Sequence, residues 1–389
     1  MCRVLFFEDR AGDIGQMTAI DEKPPPEQVK ERERSALRLT WVDLFMWALR
    51  VGAVIIIVMG LIGSIQNFMA GEGLSAEGWR NLLVASISQG AMYGLLALGY
   101  SMVYGILGFI NFAHGEVFMS GTLVGFVAAN WLFENGIWAG NPFLALIIVL
   151  IVAMLTSTLV AVIIERIAYR PLRGAPRLIP LITSIGMSFF VQYTFAGLFG
   201  VGFNTYPQAP SILAGSVSIF GLPVQRTQLT VIVIAILSMV GLWYFVTKTK
   251  SGRAMRAVAE DKEIAGLMGI NVDRTIVIVF AVGGAMAGVA GMMWSLLFRS
   301  VNFFTGFIPG IKAFTAAVLG GIGNMAGAMG GGVLLGIFEG VGPLLILGGL
   351  GIPGVSQLKD AVAFVALVLV LIFKPTGLFG ERLGSEDRV

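Results

Sequence analysis

Residues 108–125 read GFINFAHGEVFMSGTLVG, and this stretch gathers Asn111, Glu116 and the chain's one histidine, His114. Apolar sequence lies on both sides, over residues 82–107 before it and on to about residue 133 after it. Polar groups at membrane depth cost several kcal/mol unless satisfied, roughly 2.5–3.5 for a central charge on insertion scales. A chain tolerates them there as cavity lining, as internal pairs, or at a break between helices. Asn111 is expected to cap, and Glu116 to sit at the positive end of the following helix. A gate or substrate-contact role for Asn111, His114 and Glu116 is the functional alternative.

The wider composition places this stretch inside a membrane. Of 389 residues, 56% are hydrophobic and 13% charged, with 52 glycines. A soluble domain carries about 25% charge, so the expectation is an all-α polytopic membrane protein. One cysteine, Cys2, excludes a disulfide framework and a Cys-rich metal site. With a single histidine as well, no metal site is expected. Basic residues are scattered through short loops, so nucleic acid is not an expected partner, whereas membrane lipid is.

Residues 1–38 contain Pro24–Pro26 and a charged KERERSALR segment, and read as a disordered cytoplasmic tail, with Met17 as an alternative start. Residues 39–77 carry an additional span over 41–66 and a polar loop. Residues 78–378 form the main membrane domain, and 379–389 a second cytoplasmic tail. Spans are expected at 82–107, after the break to about 133, at 142–164, 178–200, 229–246 and 275–298. Two Gly-broken pieces follow at 311–322 and 325–347, then 358–373. The total is about 8–10 transmembrane or re-entrant helices.

Orientation follows from charge. The loop ERIAYRPLRGAPR carries Arg166, Arg170, Arg173 and Arg177 against Glu165. Short Arg-rich loops stay cytoplasmic, so this loop and the charged 248–274 segment share that side with both termini. Residues 201–227, with the lone charge Arg226, face outside. The segments INFAHGEVFMSGTLVGF and IGNMAGAMGGGVLLGIF each place an asparagine near a Gly-x-x-x-Gly pair, Gly121/Gly125 and Gly332/Gly336. An internal inverted repeat around a pathway is one reading of that echo; the abundance of glycine in membrane helices is the other.

No GxxxxGK[ST], HExxH, GxSxG or CxxC occurs, so an enzyme reading has no constellation to rest on. Residues 251–271 read SGRAMRAVAEDKEIAGLMGIN, too polar to span and too helix-favouring for a plain linker. Two short helices fit. Ser251 caps the first and Arg256 pairs with Glu260; Asp261 caps the second, with Ile264, Leu267 and Met268 as its apolar stripe and Gly269 as its stop. Such an element projecting between two spans suits docking of a soluble partner. Thr183, Ser184 and Asn324 are further pathway candidates, although hydroxyls in spans more often satisfy neighbouring backbone. For a proton relay the only further groups near depth are Lys312, Glu339 and Asp360.

Four motifs, GYSMVYGILGFINFAHGEVFMSG, ERIAYRPLRGAPRLIPLITSIGMSFF, SGRAMRAVAEDKEIAGLMGINVDR and KAFTAAVLGGIGNMAGAMGGG, resemble the permease subunit of branched-chain amino-acid ABC importers. The resemblance runs from about residue 82 to about 378. It implies a partnership with a second related permease, two cytoplasmic ATPases that bind the ATP and Mg, and an extracytoplasmic binding protein delivering leucine, isoleucine or valine. This chain itself is then expected to hold no cofactor. By the same resemblance the 251–271 segment matches the ATPase-docking element, making Gly252, Arg253, Arg256, Ala257, Glu260, Asp261 and Gly269 coupling candidates in a bacterial inner membrane. Family members begin near residue 82, so residues 1–77 are an addition. Alternatives are urea, amide or other amino-acid cargo in the same class, or an ion-driven secondary transporter or channel.

Overall fold

The computed structural model describes residues 41–71, 73–176, 178–219 and 222–380. The tail expected over residues 1–38, Arg177 and most of 379–389 lie outside the described residues. Contacts divide the chain into two units, Met1–Ala53 and Val54–Val389. The described part of the first is helical. Among the described residues nine helices are long and apolar enough to cross a membrane.

The chain runs through α1 (Trp41–Ala70), α2 (Ala76–Leu107), α3 (His114–Glu134), α4 (Pro142–Ile164) and α5 (Leu178–Phe199). It continues through α6 (Arg226–Lys248), α7 (Lys250–Glu260), α8 (Lys262–Leu267), α9 (Val272–Phe298), α10 (Phe307–Gly320), α11 (Met325–Gly340) and α12 (Lys359–Phe373). Small strands complete it: β1 (Asn204–Thr205) pairs antiparallel with β4 (Ser300–Val301), and β2 (Ser216–Ile219) with β3 (Leu222–Gln225). The 201–227 segment is therefore strapped to the far end of α9 rather than being a plain loop.

Four sequence expectations change. α2 begins at Ala76, six residues earlier, because the Ser75 side chain accepts from Gly78 N at 3.1 Å. α10 starts at Phe307 and has only 14 residues, about 21 Å at 1.5 Å per residue, short of the ~30 Å hydrocarbon core. The span expected over 325–347 runs as Met325–Gly348, but its last six residues, Pro343–Gly348, wind as a π-helical turn. Proline at the start of that turn cannot donate to the preceding helix. α7 is capped by Thr249, whose hydroxyl accepts from Gly252 N at 3.0 Å, and not by Ser251.

Small residues set the core. Water is absent from a bilayer, so helices associate by close packing rather than by apolar burial. Gly332 and Gly336 of α11 lie directly on Gly94 and Gly90 of α2, leaving no room for a Cβ. Gly121 of α3 sits against Ser157 and Ala153 of α4, and Gly288 of α9 against Ala153 as well. The Ser157 hydroxyl donates to Val117 O at 2.8 Å, joining α4 to α3. Helices α2, α3 and α9 are mostly buried, whereas α4, α6 and α12 turn most of their surface outward. Within the second unit, Gly63 of α1 meets Gly349, and the Ser64 hydroxyl donates to Leu345 O at 2.7 Å.

The two Arg-rich segments meet. Arg170 lies 3.2 Å from Asp273 at the start of α9, and Arg173 pairs with both Asp273 and the buried Glu165. These pairs place the 165–173 turn beside the base of α9, next to α7 and α8.

Candidate functional site

The break between α2 and α3 is built from its glycine outward. Gly108 closes α2 with φ of 72°, a left-handed conformation that glycine adopts without penalty, and donates to Tyr104 O at 2.8 Å. Asn111 does not cap α3 in the expected way. Its Oδ1 accepts from Ala113 N at 3.1 Å and from the Tyr169 hydroxyl at 2.5 Å. Its carbonyl accepts from His114 N at 3.1 Å. The turn is thereby held by its own asparagine and by a side chain some sixty residues on.

His114 and Glu116 are both buried in the first turn of α3. The His114 ring lies edge-on to Tyr100, centroids 4.8 Å apart, with Nε2 packed against Gly99 of α2. Glu116 Oε1 accepts from Ser188 Oγ of α5 at 3.4 Å. Glu116 Oε2 lies against Gly306, at the start of α10. His114 Nε2 and Glu116 Oε2 find no hydrogen-bond partner among the described residues. Gly115 itself touches Gly306 and Gly310. Two helices, α3 and α10, thus begin at one interior point beside the Glu116 side chain.

Ser184 belongs to this cluster: its hydroxyl donates to Leu181 O at 2.6 Å and accepts from Phe112 N at 3.4 Å. Thr183 does not. It is half-buried and donates back to Ile179 O at 2.9 Å within its own helix. Asn324 is also elsewhere, capping α11 by accepting from Gly327 N at 3.0 Å and donating to Phe379 O at 3.1 Å. Sequence reasoning missed Tyr100, Tyr169, Ser188 and Gly306, which come from four distant segments and carry no local pattern. An apolar cavity of about 370 Å³ between α4, α6 and α9 lies away from Glu116.

The second region is the α7–α8 hairpin. Gly252, Met255 and Val258 form the buried stripe of α7. Gly252 lies on the carbonyls of Phe245 and Val246, where a Cβ has no space. Arg253, Arg256, Glu260 and Asp261 are exposed, and Ala257 is half-buried. Arg256 donates to Thr247 O at 3.4 Å rather than pairing with Glu260. Asp261 caps α8 as expected, accepting from Glu263 N and Ile264 N at 2.8 and 2.9 Å. Gly269 ends it with φ of 82°. The expected apolar stripe faces outward: Leu267 is 87% exposed and Met268 78%, with Ile264 also exposed, and only Ala265 of this helix is buried.

A multi-pass helical membrane protein with glycine-broken helices meeting in its interior, and a capped helical hairpin at its charged end, has the architecture of a membrane permease. The chain belongs to the family of branched-chain amino-acid transport system permease components, whose family model matches residues 82–371. It is 41% identical over 305 residues to the high-affinity branched-chain amino-acid transport permease BraD of Pseudomonas aeruginosa, covering 77% of this chain and 95% of that one. It is 40% identical over 300 residues to LivH of Escherichia coli, covering 76% and 93%. A probable LivH from Methanocaldococcus jannaschii is 28% identical over 326 residues, covering 80% and 93%.

Proposed function

We propose that this chain is the permease subunit of an ATP-driven importer that moves leucine, isoleucine or valine across a bacterial cytoplasmic membrane. The cargo comes from the names of relatives such as BraD and LivH, with which it shares about two residues in five over most of its length. The observation that carries the mechanism is the α7–α8 hairpin: exposed Ile264, Leu267 and Met268 beside exposed Arg253 and Arg256, on an element rigidly capped at both of its helices. An apolar, basic-edged protrusion suits a groove on a soluble partner.

In this reading two cytoplasmic ATPases seat on α7 and α8, and ATP binding and hydrolysis belong to them. Buried Gly252, Met255 and Val258 press α7 on α6, and α7 also packs on α2 and α9. Displacement of the hairpin would thus pass to the two helices most deeply buried in the molecule. A second, related permease supplies the other half of the pathway, a secreted binding protein delivers the amino acid, and both termini lie on the ATPase side. Packed helices switch between discrete arrangements, each ligand shifting the balance only by its differential affinity.

Uptake of labelled leucine into vesicles carrying the whole complex is the test. Uptake that requires ATP and the binding protein, and that survives an ionophore, is expected. Uptake by this chain alone that collapses with an ionophore would assign it to the ion-driven class instead.

A further inference from the structure

Lys312 lies in the second turn of α10 and is buried, with only 4% of its surface exposed. Its Nζ stands 2.8 Å from Glu339 Oε1 at the end of α11 and 2.8 Å from Asp360 Oδ1 in the first turn of α12. Two side chains of α2 close the cluster. Gln89 Nε2 donates to Glu339 Oε1 at 2.8 Å and to the Tyr93 hydroxyl at 2.7 Å. The Tyr93 hydroxyl lies 3.4 Å from both Glu339 Oε1 and Lys312 Nζ. One cation and two carboxylates from three helices therefore converge on a fourth.

Stability alone does not account for this. Taking each ion from water costs several kcal/mol, and well-packed apolar residues of similar volume do as well or better. Charges placed inside a membrane domain call for a role that uses their direction. The geometry supplies one. α10 is the helix too short to span, and its first turn carries Gly306 and Gly310 against Gly115, with Glu116 Oε2 on Gly306. Lys312 follows Gly310 by two residues. Its ion pairs therefore tie the end of α10 that touches the α3 break to α11 and α12. The members differ in exposure: the Glu339 side chain is 2% exposed, whereas that of Asp360 is 46% exposed. The Glu339 arm is sealed against α2, and the Asp360 arm reaches the surface.

We propose that Lys312, Glu339 and Asp360 form a positioning latch for the half-helix α10. The Glu339 arm anchors it to α11 and α2, and the Asp360 arm is the one released when the pathway changes access. The role in access rests on the transport reading above; the positioning of α10 does not.

The test uses the complete chain in its complex, with Cys2→Ser and spin labels at Ile308→Cys on α10 and Val365→Cys on α12, both exposed positions. The wild-type triad should give one narrow distance distribution. In the charge-free, size-matched triple variant Lys312→Met, Glu339→Gln, Asp360→Asn that distribution should broaden or shift. The unlabelled triple variant should still assemble with its ATPases but lose uptake by about tenfold or more, since misplacement of a site by about 1 Å costs up to a hundredfold. The conservative variant Asp360→Glu keeps the cation facing both carboxylates and should retain both the narrow distribution and most of the uptake.

An unchanged distance distribution in the triple variant would overturn the latch. So would a broadened distribution accompanied by wild-type uptake, or an Asp360→Glu variant that assembles yet behaves like the triple. Absence of ATP-dependent leucine uptake by the wild-type complex would instead count against the transport reading, and the distance measurement would still decide whether the triad positions α10.

Discussion

The hydroxyl of Tyr169 donates to Oδ1 of Asn111 across 2.5 Å, joining the end of α4 to the break before α3. The two residues lie 58 positions apart in the chain, and both are buried. Tyr169 also stacks its ring edge-on to Phe109, so the break is gripped by one side chain through both its polar tip and its apolar face. Tyr169→Phe keeps the ring and removes only the donor. Asn111 retains its bond from Ala113 N, so the loss should be about 1 kcal/mol. A thermal melt in detergent should fall by a few degrees, while Tyr169→Ala should fall much further.

Docking and folding separate cleanly on the hairpin. Leu267→Glu alters a side chain that touches little of its own chain, so stability should stay within about 0.5 kcal/mol. Co-purification of the ATPase subunits should be lost. Gly252→Ala acts from the opposite side: a Cβ there meets the carbonyl oxygens of Phe245 and Val246, so α7 must lift off α6. The expected result is a complex that assembles poorly although Arg253, Arg256 and Leu267 are all intact. Pull-down of the ATPases alongside a melting curve checks both.

Arg173 holds Glu165, which is fully buried. Arg173→Ala leaves that carboxylate without its cation, a change that costs about 3–5 kcal/mol for a buried pair. Arg170→Ala breaks only a pair in which both side chains are half exposed, worth at most about 1 kcal/mol. The ratio of folded yields of the two variants, measured by size-exclusion in detergent, should favour Arg170→Ala strongly.

Tyr206 lies in the strap outside the spans, and its hydroxyl donates to Thr122 O in α3. Burial pushes that hydroxyl above the ordinary tyrosine value, which is about 10. The folded state favours the neutral form, so the associated stability is present in full below about pH 10 and is lost as pH rises through the folded value. Melting temperature should therefore decline more steeply above pH 10 in the wild type than in Tyr206→Phe. Parallel curves for the two would remove Tyr206 from the account.

Spans were legible because membrane solvent imposes long apolar runs, and the Arg-rich turn was legible because charge is scarce elsewhere. Asp261 and Gly269 were readable as cap and stop since each acts on backbone within three residues. Thr249 displaced Ser251 as the cap because both are hydroxyl residues two positions apart, and only the bend after α6 chooses between them. The apolar stripe of Ile264, Leu267 and Met268 was legible from its periodicity, but periodicity alone does not say whether this chain or another covers it; the structure leaves it exposed. Lys312, Glu339 and Asp360 were visible as charges near depth. Their convergence was not, because it depends on how α10, α11 and α12 pack together, which no local pattern states.

The contact of α1 with the π-helical turn has a temporal side. Ser64 and Leu345 are 281 residues apart, so at about 5–20 residues per second a ribosome needs roughly 15–60 s to deliver the second after the first. During that interval α1 stands in the bilayer without the backbone it will finally touch. Its mean hydropathy of 2.3, against 1.5 for α2 and 1.3 for α3, suits it to wait. A helix stable alone in lipid can wait for its partner, whereas α2 is buried mainly against α11 and α9, and α3 against α4 and α9.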